Sequence, residues 1–310
     1  MPGAGRFAPA PTGALHAGHL LTAGLAWARA RAAGDRFILR LEDLDAARSR
    51  EEFVAPQLAV LKTAGLDWDE GWDLGGPHAP YRQSLRHARY AEALARLRES
   101  GRAYPCACSR AEVRASAPHA GEEGPVYAGT CRDLDPAEVL ARCASLGREP
   151  AWRFRVAPGV VEFVDGARGP QRDEPSVSAG DFVLARGDQF AYQLAVVVDD
   201  AAMGITEVVR GGDLIGSTGR QLQLHAALGF TAPRFTHGPL LVNAEGQKLS
   251  KRDGALAASV LLDQWGADFW PEFAARLAPG LVPPTDHGLD ALRSLAAHLP
   301  ELPATITLSL

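Results

Sequence analysis

The sequence predicts an α/β chain built on a doubly wound parallel sheet. Two observations carry this prediction. A short strand around Arg6-Phe7-Ala8 enters a Pro/Gly-rich turn and then a helix, and a second strand follows that helix at once. Past residue 181, strand-like runs return and lead into a helix and a further strand, consistent with a second half of the same sheet.

Taken in order, the turn contains Pro9, Pro11 and Gly13, and the helix runs from about His16 to Ala33. Leu21, Leu25 and Ala28 give the helix an apolar face, and Gly34 fits a C-terminal cap. The strand Phe37 to Leu41 completes a β-turn-α-β unit. Ligands of such sheets lie at the strand C-terminal ends, so Ala10 to His19 and Glu42 to Asp45 are expected beside one crevice. Helices follow at about 51–64 and 84–100. Strand-like runs are expected at 152–156, 160–164, 182–184, 190–198 and 205–209, then a helix at 218–228 and a strand at 240–242. Short helices around 256–265, 269–277 and 289–299 end the chain. Between the helix at 84–100 and the run at 152–156, residues 104–150 change character, with cysteines, Pro, Gly and a helix at 136–145. The expected organisation is a catalytic first half over 1–103, an inserted module over 104–180, a catalytic second half over 181–254 and a short helical region over 255–310.

Of the 310 residues, 46% are hydrophobic and 22% charged, with a net charge of -5. That charge argues against indiscriminate nucleic-acid binding, which phosphate neutralisation drives. The N-terminus lacks a basic start followed by an apolar stretch, and the run Leu194 to Val198 is too short to span a bilayer. A cytoplasmic location with no membrane association is therefore expected. Eight arginines lie between Arg82 and Arg114 against three glutamates, on a helix leading toward the cysteines; a solvated face and an RNA-contacting face are both open readings. Cys106 and Cys108, with one residue between them, point to metal more than to a disulfide framework.

Two motifs carry chemistry. His16 and His19 flank Gly18 at a helix start, where unpaired N–H groups and partial positive charge suit phosphate and Gly18 would let adenine or ribose come close to the backbone; taken alone, the spacing reads more readily as a solvated helix start or a metal-binding pair. The second is Lys248-Leu249-Ser250-Lys251-Arg252. The chain has 29 arginines and three lysines, and two of the three lysines are here, where an ammonium can follow charge building on a leaving pyrophosphate.

Together, in this order, the two motifs resemble the HIGH and KMSKS signatures of class I aminoacyl-tRNA synthetases. The words Arg6 to Gly13, Arg40 to Asp45, Tyr81 to Ser84, Phe190 to Asp200 and Val209 to Leu214 resemble the glutamyl and glutaminyl branch of that class. Cys106, Cys108, Tyr127 and Cys131 resemble the zinc knuckle of its glutamyl-Q tRNA(Asp) synthetases, with His119 and Cys143 as rival ligands; Tyr is not a usual zinc ligand on chemical grounds. His19 stands where many glutamyl-Q enzymes carry a smaller residue, and Arg252 stands where the general motif has Ser.

The resemblance implies a Rossmann-like class I catalytic fold with an inserted zinc-containing, acceptor-binding-like module. It implies that Arg6, Phe7, Ala8, Pro9, Ala10, Glu42, Tyr192 and Arg210 hold L-glutamate, with Glu42 receiving the α-ammonium. By the same route His16, Gly18, His19 and Lys251 hold ATP; His16, His19, Lys248 and Lys251 act in catalysis; Mg2+ accompanies ATP and one Zn2+ is structural. An amino acid with two carboxylates needs cations for these and an anion for its ammonium. Only 58 residues (253–310) follow Arg252, so an anticodon-binding domain is not expected. The implied reaction is ATP-dependent glutamate activation and transfer to the queuosine of tRNA(Asp) by a monomer. A short glutamyl-tRNA synthetase charging tRNA(Glu) shares every adenylation residue. A small-molecule nucleotidylyltransferase would lack the Arg6, Glu42, Tyr192, Arg210 set, and a non-enzymatic RNA-binding paralogue would have lost it.

Overall fold

In the computed structural model, residues 2–117, 120–121, 124–243, 246–247, 257–283 and 285–308 are described. The elements are β1 (Ala4–Phe7), α1 (Ala17–Ala32), β2 (Arg36–Leu39), α2 (Val54–Thr63), β3 (Glu70–Gly71), α3 (His87–Glu99), β4 (Ala103–Cys106), α4 (Arg110–Ser116), β5 (Ala120–Gly121), β6 (Gly124–Pro125), α5 (Pro136–Ser145) and β7 (Ala151–Phe154). They continue with β8 (Val161–Asp165), β9 (Gly169–Asp173), α6 (Pro175–Ser178), β10 (Val183–Arg186), β11 (Gln189–Phe190), α7 (Tyr192–Ala202), β12 (Glu207–Gly211), α8 (Thr218–Leu228), β13 (Arg234–Gly238) and β14 (Leu240–Val242). The chain ends with α9 (Ala258–Trp265), α10 (Phe269–Leu277), α11 (Leu289–Ala297) and β15 (Thr305–Thr307).

A parallel sheet is the frame. β1 pairs with β2 and β2 with β3, all parallel; β12 pairs with β13 and β13 with β8, also parallel. The two halves meet where Thr206 N–H donates to Ala4 O at 2.8 Å and the Arg6 guanidinium donates to Val209 O at 3.1 Å. Alternation along the strands separates two cores: Phe37, Leu39 and Val209 join α1, α10 and α11, whereas Ile38 and Val208 face Met203, Ile205 and Tyr81. The arrangement is that of a doubly wound sheet, open at the strand C-terminal ends.

A second, antiparallel sheet has the order β11-β10-β7-β4 and carries the cysteine module. Its strands span residues 103–190, past the expected limit of 180. Within the expected insertion, β8 and β9 pair with the parallel sheet instead.

The strand expected over 190–198 is a correction. Only Gln189–Phe190 is strand, and Tyr192 opens α7. Val196, Val197 and Val198 are all at most 5% exposed, so a helix buried on every side showed no helical period and its β-branched run read as strand. Of the arginine stripe only Arg86 is buried, Arg82 and Arg102 are half-buried and the other five are exposed, several of them resting on neighbouring groups. Arg86 pairs with buried Asp199, Arg82 with Glu51, and Arg96 reaches Leu228 O while covering Phe230; Arg98 and Arg102 lie over the rings of Trp152 and Phe154.

α1 packs closely on the C-terminal helices because Gly24 lacks a side chain; a Cβ there would lie 2.5 Å from Trp270 and 3.0 Å from Leu292. A Gly24→Ala variant is expected to be destabilised by up to about 2 kcal/mol in urea unfolding. The overpacking cost of about 1–3 kcal/mol outweighs the helix gain of about 1 kcal/mol; an unchanged or raised midpoint would contradict this packing.

The segment around the lysine motif is held at both sides. β14, on its N-terminal side, pairs in parallel with β15, and on its C-terminal side Ala258 N–H donates to Leu15 O at 2.9 Å while Ala257 bridges to His16. Lys248, Lys251 and Arg252 themselves lie outside the described residues, as does His119.

Candidate active site

At the C-terminal ends of β1, β2 and β12, a cavity of about 430 Å³ is lined by Arg6, Phe7, Ala8, Pro9, Ala10, His16, Gly18, His19, Glu42, Tyr192 and Arg210. Every glutamate- and ATP-site residue expected from the sequence is on this one surface, except Lys251, which is not among the described residues. Thr22, Gly211, Asp213, Leu214, Leu240 and Leu241 also line it.

The helix start is built by reciprocal capping. The Nδ1 of His16 accepts from Gly18 N–H at 3.1 Å, and the Nδ1 of His19 accepts from His16 N–H at 3.2 Å. With both Nδ1 atoms accepting, each neutral ring carries its proton on Nε2, so the stacked imidazoles, 3.7 Å between centroids, are donors through Nε2. A Cβ on Gly18 would lie 3.1 Å from the His16 ring, so this glycine makes room for the cap as well as lining the cavity. Gln57, which no motif flagged, holds the preceding turn: its amide donates to Ala10 O at 3.1 Å and Gly13 O at 2.8 Å.

Charge is distributed unevenly around the cavity. Buried Arg40 bonds Asp200 at 2.7 Å and Glu42 at 3.0 Å, and Asp200 also faces Arg6 at 3.5 Å. Asp199 behind them accepts from Arg86, Gln83 and Tyr90. This lattice fixes Glu42 at the cavity wall. Burial pushes the Glu42 carboxyl above the usual value, opposed by Arg40 and Arg6. The two aspartates nearby serve the turn, Asp43 accepting from Ser84 N–H and Oγ at 2.8 Å and Asp45 pairing with Arg48 at the surface.

Arg210 is 4% exposed and is held by neutral groups: Nη1 donates to Gln221 at 2.7 Å, Nη2 to Thr218 at 2.9 Å and Nε to His237 Nε2 at 2.9 Å. Among the described residues no carboxylate pairs with it. Burial lowers the guanidinium's affinity for its proton, and the Tyr192 hydroxyl acts against this. A buried cation bonded to neutral groups and opening on a cavity can receive a ligand's anion.

Buried ionisable groups set an acid response. Burial holds His225 and His237 below the ordinary imidazole value of 6.5. The unfolded chain therefore takes up their protons first, and their stability contribution, whole above 6.5, is lost as pH falls from there toward the folded values. Burial raises the carboxyls of Asp165 and Asp200, but His237 and backbone N–H groups outweigh it at Asp165, as do Arg40 and Arg6 at Asp200, leaving both below 3.8. Their contribution is present above 3.8 and is lost below it. Calorimetry is expected to show Tm declining in two stages on acidification, beginning near 6.5 and again near 3.8; a flat profile from pH 8 to 5 would contradict the first.

Away from the cavity, the Sγ atoms of Cys106, Cys108 and Cys131 lie within 4.8 Å of one another, all buried. Cys108 and Cys131 are 3.6 Å apart, and the Tyr127 hydroxyl is 3.3 Å from Cys106 and 3.8 Å from Cys108. A tetrahedral ion with Zn–S near 2.3 Å requires sulfurs about 3.8 Å apart, so the donor set fits zinc. Cys143 is buried in the same apolar cluster but is not one of the three grouped thiols. No helix among the described residues is long and apolar enough to cross a membrane.

The family model "tRNA synthetases class I (E and Q), catalytic domain" matches residues 4–278. The chain is 55% identical over 256 residues to the glutamyl-Q tRNA(Asp) synthetase of Symbiobacterium thermophilum, covering 81% of this chain and 79% of the relative. It is 46% identical over 292 residues to that of Chromobacterium violaceum, covering 93% and 90%. Among solved structures, a glutamate tRNA ligase from Elizabethkingia meningosepticum in complex with its amino acid is similar with a TM-score of 0.80 at 25% identity, covering 100% of this chain and 67% of that one. The sheet order, the capped histidine turn and these relatives lead to one assignment: the chain belongs to the class I glutamyl and glutaminyl synthetase family, and within it to the glutamyl-Q tRNA(Asp) synthetases.

Proposed function

We propose that the protein activates L-glutamate with ATP and transfers it to the queuosine base of tRNA(Asp). The observation that carries this reading is one cavity lined by two buried arginines, Arg6 and Arg210, with the carboxylate of Glu42 held at its wall, beside the capped histidine turn. Relatives at 45–55% identity bear the name of that activity.

Glu42 receives the α-ammonium of glutamate, and Arg210 with Tyr192 receives a carboxylate. Arg6 adds positive potential while the Phe7 to Ala10 edge shapes the wall. A glutamate α-carboxylate oxygen attacks the α-phosphorus of ATP, the Pα–O bond to pyrophosphate breaks, and glutamyl-adenylate forms. His16 and His19 donate through Nε2 to the phosphates, with Gly18 beneath them, while Lys248 and Lys251 attend the leaving pyrophosphate. Mg2+ brought with ATP supplies charge neutralisation at the phosphates. A queuosine cyclopentene hydroxyl then attacks the activated carbonyl and AMP leaves. Catalysis is positioning and charge stabilisation with no covalent enzyme intermediate. Cys106, Cys108, Cys131 and Tyr127 hold one structural zinc that shapes the antiparallel module.

The test incubates the protein with ATP, Mg2+ and radiolabelled glutamate, with queuosine-containing tRNA(Asp), unmodified tRNA(Asp) or tRNA(Glu) in separate reactions. Label on the queuosine-containing tRNA alone is the expected result. Label on tRNA(Glu) makes this a short glutamyl-tRNA synthetase, and no transfer to any of them removes the ligase reading.

A further inference from the structure

Behind the cavity, a line of buried polar atoms ends on Arg210. Asp165, at the end of β8, is 2% exposed, and its Oδ1 accepts the N–H groups of Ala167 and Arg168 at 3.0 Å and of His237 at 3.3 Å. These bonds aim Oδ2 at His237 Nδ1, 2.6 Å away. His237, on β13 and 1% exposed, places Nε2 2.9 Å from Arg210 Nε.

Each atom in this line has one permitted role. An ionised carboxylate only accepts, so His237 carries its proton on Nδ1; the neutral ring then presents a bare Nε2, which accepts the Nε–H that a guanidinium can only donate. The other neutral tautomer would set N–H against N–H at Arg210. An imidazolium would add that clash and a second cation. The charged groups facing His237 are Asp165 from β8, Arg168 from the turn after it and Arg210 from β12, with Thr218 of α8 the neutral neighbour at 3.4 Å.

We infer that Asp165 and His237 are a positioning pair that sets the rotation of the Arg210 guanidinium and so the fit of the amino-acid carboxylate. The inference rests on the reading that Arg210 receives that carboxylate. Gln221 and Thr218 hold the two Nη atoms, and His237 fixes the third corner, so the planar fork has one orientation. A pair serving only to tie β8 to β13 would not need a defined tautomer at Nε2.

Asp165→Asn keeps the volume and an oxygen for the backbone N–H groups while offering an amide N–H to Nδ1, which reverses the His237 tautomer. In glutamate-dependent ATP–pyrophosphate exchange by the full chain, this variant is expected to raise KM for glutamate about ten- to a hundredfold, the worth of a hydrogen bond to a charged group. The KM for ATP and kcat are expected to stay within about twofold. His237→Gln, whose amide oxygen can accept from Arg210 Nε, is expected to recover most of the affinity that His237→Leu loses. An Asp165→Asn variant with unchanged KM for glutamate, or one whose kcat and both KM values deteriorate together with Tm, overturns the inference. A further measurement needs no variant: the 15N spectrum of histidine-labelled protein is expected to show His237 protonated at Nδ1 and bare at Nε2, and the reverse tautomer or an imidazolium overturns the pair. Absence of glutamate-dependent exchange in the unmodified protein would instead remove the functional reading, leaving the 15N result to judge the pair.

Discussion

Arg210→Lys is expected to lower kcat/KM for glutamate by about a thousandfold in ATP–pyrophosphate exchange, with the KM for ATP nearly unchanged. A guanidinium has five N–H donors in a plane, and three of its nitrogens are engaged by Gln221, Thr218 and His237. The remaining donors are left to the Tyr192 hydroxyl and to a ligand in the cavity that both residues line. An ammonium keeps the charge but cannot satisfy three fixed acceptors and a ligand together, and each lost bond to a charged group is worth about 1.5–3 kcal/mol. Loss of two such bonds at about 1.4 kcal/mol per tenfold brings the effect near three decades. A fall under tenfold would show that Arg210 is not the carboxylate's main partner.

Cys131→Ser is expected to reduce bound zinc from about one ion per chain to near none and to lower Tm markedly. Folding free energy and metal binding are one quantity at such sites, on the order of 10 kcal/mol for small zinc modules. The cysteines belong to a small core of their own, with Tyr104, Ala107, Tyr127, Val139 and Ala151, apart from the larger ones. Hydrogen exchange should accordingly rise in β4, β7 and β10 while β1, β2 and β12 keep their protection. Metal analysis that finds no zinc in the unmodified protein, or exchange unchanged in the module after substitution, would remove the structural-metal reading.

What the sequence made legible was whatever is local. The helix at Thr218–Leu228 is bounded in the structure as it reads in sequence, because the left-handed Gly229 stops it, and Pro136 at the first turn marks α5. The cavity residues were found because their motifs are contiguous words. What stayed hidden depends on partners far along the chain. His237 and Asp165 are 72 positions apart, Gln57 acts on a turn more than 40 residues away, and neither has a local pattern. The partners of Arg82, Arg86 and Arg98 were hidden for the same reason: their charge was visible, but Glu51, Asp199 and Trp152, which they meet, are far along the chain.

The stitching on either side of the lysine motif limits how far its lysines can stand from the cavity. Lys248 is five residues from Asn243, which follows β14, and Lys251 is six from Ala257, which bridges to His16. At about 3.5 Å per residue, neither can stand more than about 20 Å from its anchor. Confinement to such a radius corresponds to an effective concentration on the order of tens of millimolar. On the proposed reading, chain connectivity alone keeps both ammonium groups within a short reach of the cavity, so ATP need not capture a distant cation.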